Sequence, residues 1–184
     1  PYYNKPMPEG MFQHFKAVDA VGIPMVLYNV PGRTGKNMPA TTTLRCAREL
    51  KNAVAVKEAS GDVGQIMEIL AGHFAVLSGD DALTLPLIPM GVKGCISVVA
   101  NEVPKLFSQM VAAALKGDYE TARMLHNKLL PLMNFNFVES NPIPVKTAMG
   151  LMGKIDPRMR LPLTPMSPDN AEKMKKILKN LGII

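Results

Sequence analysis

The stretch Ala53-Val54-Ala55-Val56-Lys57-Glu58-Ala59 sets the reading of this chain. It is a short, unbroken apolar run closed by a charged pair, which is the pattern of a buried parallel strand rather than of a helix. Working outward, Met25-Val26-Leu27-Tyr28-Asn29-Val30 repeats the pattern with Tyr28 at the place of Lys57. Similar runs lie at 75–78 and 95–99, and helix-like segments separate all four. The rhythm is βαβα, which predicts parallel strands joined by right-handed crossovers. Punctuation agrees: Pro8 and Glu9 suit a first helical turn, Gly22 its end, and Asp62 and Gly72 bracket a later helix.

In such folds ligands sit beyond the carboxyl ends of the strands, so Lys57 and Tyr28 are expected to meet in one water-poor cleft. Strand alternation puts Ala53, Ala55 and Lys57 on one face and Val54 and Val56 on the other. Taken alone, a strand-terminal lysine is usually solvated, with its stem on apolar surface. A lysine held at an apolar rim is different, because desolvation disfavours its charge and frees neutral amine to attack a carbonyl. Tyr28, if not merely a core aromatic, can carry protons to and from that amine. Arg33, just after Tyr28, reads as a loop residue whose planar fork fits a carboxylate. Of Asp80 and Asp81, one is expected to cap the helix that follows, and no metal site is predicted. Glu58 should point away from Lys57 and make a structural hydrogen bond.

Composition excludes several classes. The 184 residues are 47% apolar and 20% charged, an ordinary globular balance. No apolar run approaches the ~18 residues needed to span a bilayer, and the first residues lack a signal peptide's apolar segment, so a cytoplasmic protein is expected. The net charge is +6, but much of the excess is Lys173, Lys175, Lys176 and Lys179 on a terminal helix striped by Met174, Ile177, Leu178 and Leu181. Those lysines read as a solvated face. No basic stripe interleaves with aromatics, so nucleic acid is not an expected partner. Cys46 and Cys95 have no metal or redox spacing and read as reduced thiols. His14, His73 and His126 are scattered and carry no hypothesis.

Beyond the fourth run only helices are predicted, with breaks at Gly117-Asp118 and Gly153, Pro131 as a kink, and a last helix opening at Ser167-Pro168-Asp169. Four strands with their helices make half of a (β/α)₈ barrel, which needs ~250 residues when complete. A four-stranded doubly wound domain is the structural alternative, but no glycine-rich phosphate fingerprint follows any strand.

Tyr28-Asn29-Val30-Pro31-Gly32-Arg33-Thr34-Gly35, Val56-Lys57-Glu58-Ala59-Ser60-Gly61 and Ser78-Gly79-Asp80-Asp81 together resemble the dihydrodipicolinate synthase family of pyruvate-dependent class I aldolases and lyases. Pro1-Tyr2-Tyr3-Asn4-Lys5-Pro6 and Asn141-Pro142-Ile143-Pro144-Val145-Lys146 extend the resemblance over essentially the whole chain. It implies an α/β fold: residues 1–116 as the carboxyl-terminal half of a (β/α)₈ TIM barrel, and 117–184 as a three-helix region. The chain is accordingly expected to be the carboxyl-terminal part of a barrel enzyme.

The resemblance further implies that Lys57 forms an imine with pyruvate, with no other cofactor. Tyr28 and Tyr3 would then belong to a proton relay, Tyr3 reaching in from a neighbouring subunit and a threonine coming from a segment with no counterpart here. Arg33 would hold the carboxylate of aspartate semialdehyde. Gly79 and the carbonyl of Ile96 would lie against the substrate. Tyr2 matches a position of the allosteric lysine site, and a homotetramer is the expected assembly. The implied activity is 4-hydroxy-tetrahydrodipicolinate synthesis in lysine biosynthesis. The rivals are an N-acetylneuraminate lyase or keto-acid aldolase, and a catalytically inactive scaffold.

Overall fold

The computed structural model describes all 184 residues. They form two compact units, Pro1–Ile96 and Ser97–Ile184.

The first unit is built on a three-stranded parallel sheet, β1 (Met25–Asn29), β2 (Ala53–Glu58) and β3 (Val76–Ser78), in the order β1-β2-β3. The fourth apolar run, 95–99, is not a strand. Cys95 makes a single parallel bridge to Ser78, and the chain turns into a 3₁₀ segment at Val99–Asn101. Gly94, at a φ of 150°, precedes the bridge. Of the half-barrel expectation, a parallel α/β sheet of three strands is therefore what the chain displays.

Helices cover one face of this sheet. α1 (Pro8–Asp19) opens with Pro8 in its first turn, where a missing N–H costs nothing, and is followed by Gly22 at a φ of 83°. A one-turn α2 (Pro31–Thr34) ends on Gly35 in the left-handed region. α3 (Ala40–Glu49) packs on α1, with Arg45 stacked 3.7 Å over the Phe12 ring and paired with Glu9. α4 (Val63–Ala71) is bracketed as expected: the Asp62 carboxylate accepts from Gln65 N–H, and Gly72 is the C-cap. α5 (Asp81–Leu87) is capped by Asp80, whose carboxylate accepts from Leu83 N–H at 3.0 Å. Leu27, Val56 and Val76 are fully buried and meet Phe12, Cys46, Ile66 and Ile69 from the helices. Burying each such side chain contributes roughly 1.5–3 kcal/mol.

Strict alternation fails at the start of β2. Met25 pairs with Ala53 but Val26 pairs with Ala55, so the register slips by one residue and Val54 is left half exposed. This is a bulge, and it puts Ala53 into the helix-side core along with Val56. From Ala55 onward alternation is regular.

The second unit is helical: α6 (Pro104–Leu115), α7 (Tyr119–Phe135), α8 (Ile143–Leu151) and α9 (Pro168–Asn180). α6 packs on α7 across Gly117, which holds a φ of 81°, while Asp118 caps α7 by accepting from Thr121 N–H. Pro131 lies inside α7, which continues to Phe135. α9 packs on α7 and α8 through Met174 and Leu178, both fully buried, with Lys173, Lys176 and Lys179 exposed and Lys175 half-buried. The division between the two compact units falls at 96/97.

Candidate active site

Two rows of residues cross the sheet side by side. Tyr28, Lys57 and Leu77 are register partners on the face that carries no helices. One step on, Asn29, Glu58 and Ser78 are register partners on the helix-covered face, and all three are buried. Neighbours in the chain thus point to opposite sides, as the pleat requires.

On the open face the Lys57 Nζ sits 4.3 Å from the centroid of the Tyr28 ring. A cation over an aromatic face at this distance is held by the ring quadrupole, an attraction of about 0.5–1 kcal/mol where solvent reaches it. The two side chains meet, as expected. On that face Val26 and Tyr28 are 44% and 45% exposed, and Ile96 is 42% exposed. A cavity of about 290 Å³ lies on the α1 side of Tyr28, lined by Met11, His14, Phe15, Val26 and Met38. Lys57 does not line it.

Gly79 lies beside the lysine stem and leaves it room. A methyl group at Gly79 would stand 3.1 Å from Lys57 Cε, 2.5 Å from Ala59 Cβ and 3.1 Å from Glu58 O. Its N–H donates to Glu58 O at 2.7 Å. The fourth segment closes beside it, with Ile96 N–H donating to Ser78 O at 2.9 Å. Arg33 is exposed and lies in the single turn of α2 rather than in an irregular loop, because Pro31 starts that turn and Gly35 ends it. Tyr2 and Tyr3 are 75% and 87% exposed, and neither makes a ring contact with Tyr28.

Under the lysine the helix side holds a polar cluster. Glu58 accepts from Asn29 Nδ2 with both oxygens (3.1 and 3.0 Å), from Ser60 N–H (2.8 Å) and from Gln65 Nε2 (3.0 Å). Its structural role is thus as expected. Asn29, Asn37 and Gln65 were not singled out from sequence, although Asn29 following Tyr28 as Glu58 follows Lys57 is a readable signal. Burial pushes the Cys46 thiol up to about 11, and burial with the Asp81 carboxylate adding to it pushes Cys95 up to about 12. Neither is a nucleophile near neutral pH.

No group of three or more His, Cys, Asp and Glu side chains is arranged to hold a metal ion, and no helix is long and apolar enough to cross a membrane.

Residues 1–181 match the model of the dihydrodipicolinate synthetase family. The chain belongs to that family. A relative from Koribacter versatilis (strain Ellin345), named 4-hydroxy-tetrahydrodipicolinate synthase, is 53% identical over all of this chain and 62% of its own length. The dihydrodipicolinate synthase of Thermotoga maritima superposes with a TM-score of 0.96 at 44% identity, over 100% of this chain and 65% of that one. The chloride-inhibited dihydrodipicolinate synthase of Acinetobacter baumannii, solved with pyruvate, gives a TM-score of 0.95 at 47% identity, over 100% and 64%. The chain spans just under two thirds of the length of these family members.

Proposed function

We propose that the chain carries the imine-forming site of a 4-hydroxy-tetrahydrodipicolinate synthase, with Lys57 as the amine. The observation behind this reading is Lys57 Nζ over the Tyr28 ring at the ends of two paired parallel strands. The names of the relatives favour this lyase over a sugar-acid aldolase.

The neutral amine of Lys57 attacks the keto carbon of pyruvate, water leaves, and a protonated imine results. That imine is the electron sink, so a methyl proton can depart to give an enamine. The enamine carbon attacks the aldehyde carbon of aspartate semialdehyde, and cyclisation displaces Lys57 and releases the product. Tyr28 carries protons in the first and last steps, which suits a phenol held beside the amine. Arg33 grips the carboxylate of the semialdehyde through two parallel hydrogen bonds. Gly79 and the Ile96 carbonyl border the bound keto acid. No metal or separate cofactor takes part in this scheme.

The remaining assignments follow the family. Residues 1–116 act as the second half of a barrel and 117–184 as its helical appendage, in a cytoplasmic homotetramer. Tyr3 completes the proton relay of a neighbouring subunit, and Tyr2 contributes to a lysine effector site.

The test is direct. Incubate the chain with pyruvate and borohydride, measure the intact mass, and map the modified residue. A reduced adduct on Lys57, absent in Lys57→Ala, is the expected result; a folded sample without an adduct refutes the proposal.

A further inference from the structure

The cluster beneath Lys57 does more than satisfy buried polar atoms. Its hydrogen bonds converge on Glu58, both ends are backbone donors that cannot turn round, and Gln65 Nε2 also donates back to Asn37 Oδ1 at 3.4 Å. At one end Met38 N–H donates to Asn29 Oδ1 at 3.0 Å. That fixes the Asn29 amide, whose Nδ2 donates to Glu58 and, at 2.8 Å, to Asn37 Oδ1. Asn37 Nδ2 donates to Gln65 Oε1 at 2.8 Å, and Gln65 Nε2 donates to Glu58 Oε2. At the other end Ser60 N–H donates to Glu58 Oε1. Position 58 must therefore offer two acceptor oxygens, which only a carboxylate does. Glutamine there would set its own NH₂ against Asn29 Nδ2, whichever way Gln65 and Asn37 rotate.

Three segments meet at this carboxylate. Asn29 and Glu58 follow Tyr28 and Lys57 directly, in the same register. Asn37 and Met38 close the turn that carries Arg33. Gln65 belongs to α4, the helix capped by Asp62.

We propose that Asn29, Asn37, Glu58 and Gln65 are positioning residues that lock the ends of β1 and β2 to the Arg33-bearing turn, so that one buried carboxylate sets the geometry of the imine site and of the carboxylate clamp together. The role rests on the imine chemistry proposed for Lys57. It makes Glu58 a residue that acts through Lys57 and Tyr28 without touching substrate.

The test compares the rate of pyruvate–borohydride trapping at Lys57 in the whole chain, in Glu58→Gln and in Leu50→Ala, which opens a cavity at the end of α3, ahead of β2 and at the opposite end of that strand from the cluster. Glu58→Gln should trap at least about tenfold more slowly, the order of loss that a misplaced reacting group produces. Leu50→Ala, even when its melting temperature falls as far, should stay within about twofold of the parent, as expected for an independent site. Where Glu58→Gln does not fold, Gln65→Met removes one donor to Glu58 Oε2 and should slow trapping about threefold.

A second arm needs no chemistry at Lys57. Asn37→Ala should speed tryptic cleavage after Arg33 by roughly fivefold or more, because cleavage needs the turn to open locally. Trapping by Glu58→Gln at the parent rate, or equal slowing by Leu50→Ala, overturns the positioning role; unchanged cleavage in Asn37→Ala overturns the link to the turn. If the folded parent chain fails to trap pyruvate, the imine reading itself falls, and the tryptic arm still judges the cluster.

Discussion

Replacing Gly79 by alanine is the sharpest perturbation the site allows. The added methyl would lie 2.5 Å from Ala59 Cβ, 3.1 Å from Glu58 O and 3.1 Å from Lys57 Cε. Carbon atoms settle at about 3.5–4.0 Å, so the overlap is about 1 Å at Ala59 and about half that at the lysine. The two contacts answer differently. Lysine has a flexible stem and yields first, carrying its amine off the Tyr28 ring, whereas Ala59 yields only if the end of β2 moves. Overpacking of this kind costs about 1–3 kcal/mol, and a shift near 1 Å in a reacting group slows chemistry about 100-fold. The assay pairs thermal melting with the trapping rate at Lys57. A lowered melting temperature together with trapping slowed far beyond what the lost stability explains is the expected pattern. Alanine at 79 with parental trapping would refute the claim that the amine needs the space a glycine leaves at this position.

Tyr28→Phe keeps the ring beneath the ammonium but removes the proton carrier, so melting should hardly change while trapping slows by about 10²-fold or more. Leu27→Ala empties a fully buried position between the sheet and its helices and should cost about 2–5 kcal/mol in denaturant titrations. Asp62→Ala and Asp80→Ala each remove a capping acceptor and should cost about 1 kcal/mol apiece, read by chemical denaturation. Cys46 and Cys95, raised to about 11 and about 12 from an ordinary 9.0, should alkylate at pH 8 at least about 100-fold more slowly in the folded chain than in urea. Because the folded thiols keep their protons longer, their contribution to stability is fully present below pH 9 and is lost as pH rises from 9 toward 11 and 12.

Much of this was legible in the sequence because period and punctuation are local signals. The strands at 25 and 53, the cap at Asp62, a cap from the Asp80-Asp81 pair, the break at Gly117-Asp118 and the three terminal helices all appear in apolar spacing and short polar side chains. The meeting of Lys57 with Tyr28 was readable because each closes a run of the same kind. What escaped depends on backbone geometry. Nothing in Gly94-Cys95-Ile96-Ser97-Val98 distinguishes a strand from one bridge followed by a 3₁₀ turn. The slip at Val54 is invisible in a run of alternating alanine and valine. Arg33 read as a loop residue because Pro-Gly-Arg-Thr-Gly signals a turn without revealing that it winds into a helical one. The amide cluster escaped because asparagine and glutamine are commonplace on surfaces, and only the closure of three segments makes these few indispensable.

The slip at Val54 has a consequence for how the chain tolerates change in length. Every residue of β2 after it has a parity, with odd positions facing outward and even positions inward. Upstream, the extra residue has already absorbed one shift, so an insertion or deletion before Ala55 has slack to vanish into. Between Ala55 and Lys57 no slack exists, and adding or losing one residue there would exchange amine and carboxylate, thrusting an ammonium among the helices. Natural variation in length should therefore gather ahead of that point and stop abruptly behind it.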